Sequence, residues 1–126
     1  MTAPRFEPVP PAAGPRVQGF AGRDFLLDGR SYPALLLTPE AAFPWQPPAL
    51  EALAAADVAP VLALDPPPEF LILGTGAAMA FPPRAFVAAL EDQGIGVEPM
   101  DSRAAARTWG LLRGEGRWLA AALMPL

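Results

Sequence analysis

Glu69-Phe70-Leu71-Ile72-Leu73-Gly74-Thr75-Gly76 is the stretch on which the fold turns. Its four consecutive apolar residues, Phe70 to Leu73, show none of the alternation that marks a strand with one wet face. They are expected to form a central strand buried on both sides, the condition of parallel strands in α/β sheets. Gly74 and Gly76 follow at once, and glycines in that place have two readings. They make a tight turn after the strand, or their backbone amides form a nest that takes an anion. A dinucleotide fingerprint would need a third glycine and an immediate helix, whereas Ala77 to Phe81 intervene before Pro82-Pro83. The Rossmann reading therefore fails.

Downstream, Pro83 to Gln93 begins with a proline suited to a first helical turn, places Phe86, Val87 and Leu90 on one face, and meets Gly94 at the C-cap position. That pattern predicts a helix. Ile95 to Met100 reads as a short strand, and Ser102 is expected to cap a helix running to about Arg113 and stopped by Gly114. At about 3.6 residues per turn, Ala104, Ala105, Thr108, Trp109, Leu111 and Leu112 share one arc, with Arg103, Arg107 and Gly110 opposite. Trp118 to Met124 reads as the last strand.

Upstream, Val17 to Ala21, Phe25 to Leu27 and Ala34 to Thr38 are strand-length runs separated by Gly22-Arg23 and Asp28-Gly29. Asp-Gly between two such runs marks a hairpin. Pro39 to Pro48 reads as a loop anchored by Phe43 and Trp45, Ala49 to Ala56 as a short helix, and Val61 to Leu64 as an extended segment. Residues 1–15 hold Pro4, Pro8, Pro10, Pro11 and Pro15, and read as a flexible tail before a single α/β domain at residues 16–126. Hairpin strands first, then alternating strands and helices, predict a mixed sheet with helices packed on it.

Composition excludes more than it identifies. Apolar residues make up 52% of the 126 and charged ones 17%, which is the balance of a packed globule. Cys, His and Lys are absent, and all nine cationic side chains are arginines. Thiolate and imidazole catalysis, Schiff-base chemistry, Cys/His zinc sites and P-loop lysines are thereby removed, and no cofactor or metal is implied. A net charge of −4 argues against nucleic acid as partner. No apolar run approaches the roughly 20 residues that span a bilayer, and the first fifteen residues hold no signal-peptide core. A cytoplasmic protein is expected, with any membrane association made through a partner.

Two groups of residues are candidates for function. Ligand-binding candidates are Gly74, Thr75 and Gly76 with Ser102 and Thr108, because the start of the last helix offers free amides and a favourable dipole to an anion. Protein-docking candidates are Arg103, Arg107, Arg113 and Arg117, the densest cationic stretch in the chain. A solvated helix face is the alternative reading of those arginines. Glu91-Asp92, neighbours in sequence, do not face one another on a helix and so form no acid–base pair.

Leu73-Gly74-Thr75-Gly76, then Gly94-Ile95-Gly96-Val97-Glu98-Pro99-Met100-Asp101-Ser102, then Ala105-Ala106-Arg107-Thr108-Trp109-Gly110-Leu111-Leu112, then Glu115-Gly116-Arg117 stand in an order that carries a resemblance. From Val17 to its end the chain resembles the mitochondrial complex I assembly factor 3 family, with its prokaryotic relatives and the animal adipogenesis-associated domain proteins. That family usually reads Asp-Thr at Asp101-Ser102 and Thr-Tyr-Asn at Thr108-Trp109-Gly110. The resemblance implies a three-layer α/β fold around a mixed, mostly parallel sheet, no catalytic residue set, and a role in building respiratory complex I. The expectation is therefore a noncatalytic, assembly-factor-like protein with a protein partner. Its rival is a small-anion or nucleotide-binding protein, a cryptic enzyme using Gly74 to Gly76. A homo-oligomer joined through the hairpin face is a further alternative.

Overall fold

The computed structural model describes residues 14–126, and the proline-rich tail expected at the N-terminus falls, as far as residue 13, outside the described residues. Pro15 is buried, and its carbonyl accepts a 2.9 Å hydrogen bond from the indole nitrogen of Trp109.

Strands β1 (Gly19–Ala21), β2 (Asp24–Leu27) and β3 (Arg30–Tyr32) form an antiparallel meander of their own. Asp28 and Gly29 adopt φ of 50° and 76°, the left-handed pair that the Asp-Gly turn predicted, and β3 is a strand the sequence reading had not separated. The main sheet holds β4 (Leu35–Leu37), β5 (Ala42–Pro44), β6 (Phe70–Gly74), β7 (Gly96–Met100) and β8 (Ala120–Leu123) in the order β5-β4-β8-β6-β7. β6 runs parallel to both its neighbours, and β4 is antiparallel to both of its own. The sheet is therefore mixed, with a parallel set built on β6.

Both faces of this sheet are covered, which is why its strands read as unbroken apolar runs rather than alternating ones. Leu71 and Leu73 point into one cluster with Leu36, Val61, Phe86 and Leu90. Ile72 points into the other, with Leu35, Leu37, Phe25, Leu27 and Trp109. Helix α2 (Arg84–Glu91) closes the first side, while helix α3 (Ser102–Gly114) and the meander close the second, giving three layers. Within β8, Ala121 shares the α3 side of the sheet with Ala105 and Ala106, while Ala120 and Ala122 face the other cluster.

Three local expectations are corrected. Val61 to Leu64 is not extended: Ala59–Leu62 forms a short helix, α1, with Pro60 in its first turn, where a missing N–H costs nothing. The loop from Pro39 to Pro48 contains β5, paired to β4. The helix expected at Ala49 to Ala56 is two separate 3₁₀ turns, Leu50–Ala52 and Ala55–Val58. Trp45 is an anchor, buried, with its indole N–H donating to the Asp57 carbonyl at 2.9 Å. No described helix is long and apolar enough to cross a membrane.

Ile72 is fully buried between two parallel neighbours. Ile72→Asp is expected to abolish folding, because an unpaired carboxylate there has no partner to offset its desolvation. Circular dichroism and proteolysis of the purified variant check this; a variant with a native-like melting transition would contradict the burial.

Candidate functional site

In an open α/β sheet, ligands bind beyond the carboxyl ends of the strands, where successive connections leave for opposite faces. Here that place is the gap between the ends of β6 and β7, since the chain leaves β6 for α2 on one face and β7 for α3 on the other. Gly74, Thr75, Gly76 and Ser102, four of the five ligand-binding candidates, all meet there. Thr108 does not join them. It lies six residues along α3, about 9 Å of helical rise from Ser102.

The gap is filled from within. Gly76 N–H donates to Ser102 Oγ at 2.8 Å, and the same hydroxyl donates to the Met124 carbonyl at 2.8 Å. Ser102 N–H donates to the Gly76 carbonyl and Thr75 N–H to the Met100 carbonyl, each at 2.8 Å. Met124 N–H reaches the Gly74 carbonyl at 3.0 Å. The amides that a nest would present to an anion are thus engaged by the protein itself. Ser102 was expected to cap α3, but the cap is Asp101, whose Oδ1 accepts from Ala104 N–H at 2.9 Å. The serine hydroxyl is fully buried and already spent on Gly76 and Met124.

The two glycines are required for different reasons. Gly76 has φ of 110°, a conformation that side chains resist. Gly74 needs no unusual φ. A Cβ on it would lie 2.8 Å from Ser102 Oγ and 2.9 Å from Ser102 Cα, so its bare backbone is what lets α3 start against the sheet.

Beyond Gly76 the chain turns outward. The Thr75 hydroxyl donates to the Ala78 carbonyl at 2.7 Å and accepts from Ala80 N–H at 3.0 Å. This clamp presents residues 77–81 to solvent, with Met79 51% and Phe81 78% exposed. In the sequence this segment is only the stretch between the glycines and Pro82-Pro83. Its signal was available: an apolar run, Ala-Ala-Met-Ala-Phe, with neither helical nor strand periodicity to bury it.

The four arginines separate into two pairs. Arg113 donates to the Arg117 carbonyl, and Arg117 pairs with Glu69 at 3.3 Å and lies 5.7 Å from the centre of the Phe70 ring. Those two close the turn after α3. Arg103 and Arg107 are exposed one turn apart on the outer face of α3, with the Arg103 guanidinium 4.6 Å from the Phe20 ring centre. The projected apolar arc of α3 also needs correction. Ser102, Ala105, Ala106 and Trp109 form the buried side, whereas Leu111 is 66% exposed and joins Arg103 and Arg107.

A family model described as a protein of unknown function, DUF498/DUF598, matches residues 17–124. The chain belongs to that family. An uncharacterised protein of Rhodobacter capsulatus is 37% identical over 92 residues, covering 73% of this chain and 68% of that one. Among solved structures, a crystal structure from Bordetella parapertussis shares 33% identity at a TM-score of 0.77, covering 92% of this chain and all of that one. A solution structure from Bordetella pertussis, described as an Mth938-like domain, shares 28% identity at a TM-score of 0.71 over 96% and 92% of the two chains. In this DUF498/DUF598 member, then, the glycine loop and the start of α3 form one hydrogen-bonded junction.

Three alanine substitutions probe that junction. Gly74→Ala is expected to destabilise most, since overpacking against backbone costs about 1–3 kcal/mol or more. Gly76→Ala should cost about 1–3 kcal/mol through its left-handed backbone. Gly110, inside α3 with open space where its Cβ would stand, should instead gain about 0.4–1 kcal/mol on replacement by Ala. Urea denaturation of the three variants gives the order, and a destabilised Gly110→Ala or a neutral Gly74→Ala would refute it.

Proposed function

We propose that this protein is a noncatalytic, assembly-factor-like binder that holds a protein partner through the loop at residues 77–81. The observation that carries the reading is the exposure of Met79 and Phe81 on a loop whose shape is fixed by Thr75. Large apolar side chains held out in solvent, where collapse against the body would hide them, mark a contact surface. A protein groove suits them better than a bilayer, because the chain carries a net charge of −4 and the first cation after the loop is the lone Arg84. The absence of Cys, His and Lys supports a binding role over a catalytic one. A client in respiratory complex I biogenesis belongs to the same reading through the sequence resemblance, and a cytoplasmic setting through the want of any apolar run of bilayer length.

The test is affinity capture from the native host with the wild-type protein and with the Met79→Asp/Phe81→Asp double variant. The wild type should retain a defined protein partner that the variant loses. Exposed substitutions typically change stability by within about 0.5 kcal/mol, so the melting temperature should hardly move. Equal capture by both would remove the loop from the interaction. A melting shift with inorganic phosphate or nucleotides would favour a small-ligand protein instead.

A further inference from the structure

Between β1 and the flank of α3, where its buried and outer sides meet, lies an open depression of about 170 Å³, lined by Val17, Gln18, Gly19, Phe20, Ala106 and Arg107. Its lining is divided by chemistry. Val17, Phe20 and Ala106 supply apolar surface, and Arg107 stands beside it with Arg103 one turn back on the helix, over the Phe20 ring. Leu111, exposed, continues the same helical row one turn beyond Arg107. Two like charges four residues apart on a helix repel each other, so an anion shared between them is favoured by both. β1 is the outer strand of its sheet, bonded among the described strands to β2 alone, so its far edge can receive a further main chain.

We infer that this depression binds the C-terminal end of a partner polypeptide whose last residue is apolar. The terminal carboxylate lies between the guanidinium groups of Arg103 and Arg107, in charge-assisted hydrogen bonds. The last side chain rests on Val17, Phe20 and Ala106, and the preceding residues leave along the edge of β1 toward Leu111. The volume argues for this occupant. It is well under the roughly 300 Å³ at which pockets for drug-sized ligands begin, too small for a nucleotide but enough for one side chain. Openness to the surface lets a chain continue outward, which a free metabolite would not require. The proposal extends the protein-binding reading to a second surface, away from residues 77–81, and its test is independent of that loop.

The probe is acetyl-Gly-Ser-Ala-Val-Leu with a free carboxyl group, titrated into ¹⁵N-labelled full-length protein. The amides of Gly19, Phe20, Ala106 and Arg107 should shift saturably. Amidation of the peptide's end should weaken binding about tenfold or more, the effect of losing hydrogen bonds to a charged group. N-acetylleucine alone should bind more weakly than the pentapeptide. The Arg103→Gln/Arg107→Gln variant, with an unchanged melting temperature, should lose the preference for the free acid, while Met79→Asp/Phe81→Asp should keep it. Equal binding of acid and amide, or no shift at these four amides at millimolar peptide, would overturn the proposal. N-acetylleucine binding as tightly as the pentapeptide would overturn it in favour of a small carboxylate. Loss of peptide binding in Met79→Asp/Phe81→Asp would overturn the separation of the two surfaces.

Discussion

One buried hydroxyl ties this fold together. Ser102 Oγ accepts from Gly76 and donates to Met124, and so joins the end of β6, the start of α3 and the end of β8 through a single atom. Each of those backbone groups would otherwise be orphaned in the interior, at about 1–3 kcal/mol apiece. The contact is only available because Gly74 carries no side chain, so that α3 can begin against the backbone of β6. A close start also sets the height of the whole helix, bringing Ala105, Ala106 and Trp109 into one cluster with Ile72, Ala121 and Leu123 of the sheet.

The same junction decides what the carboxyl end of the parallel strands can do. In a ligand-binding α/β sheet that end is left open, and its amides wait for phosphate or carboxylate. Here the amides of Thr75 and Gly76, and that of Ser102 at the head of α3, already meet protein acceptors. An anion entering would have to replace hydrogen bonds that the core depends on. What the junction does present outward is the loop held by Thr75, so the place where ligand-binding α/β sheets hold small molecules here displays apolar side chains.

Legibility followed the length scale of the governing interaction. Leu71 to Leu73 and the helix before Gly94 were readable because burial on both faces, amphipathic spacing and a glycine C-cap are written in adjacent residues, whereas Phe70, expected with them, is only partly buried. Asp28-Gly29 was readable because its turn requires that local chemistry. Ser102 was misread as a cap because the sequence shows a serine before a helix but not the Met124 carbonyl that claims its hydroxyl. Leu111 was placed inside by a projection that could not show where the sheet ends, since the phase of the buried arc is set by Ser102 and Gly74. Of the candidate site, neither the meeting of the glycine loop with Ser102 nor Phe20 beside Arg103 was legible, because each joins segments that are distant in sequence.

Stability and the proposed recognition draw on different parts of this chain. The interior is held by apolar burial in two layers and by a few buried hydrogen bonds, and the ion pair between Arg117 and Glu69 lies at the surface, where such pairs are worth little. Arg103, Arg107, Leu111, Met79 and Phe81 stand outside those layers. The cation over Phe20 contributes about 0.5–1 kcal/mol at an exposed site, a small share of a domain's stability. Residues that contribute so little to the fold can change at little cost in stability, and those at the Gly74–Ser102 junction cannot, because they set the geometry on which both proposed surfaces are displayed.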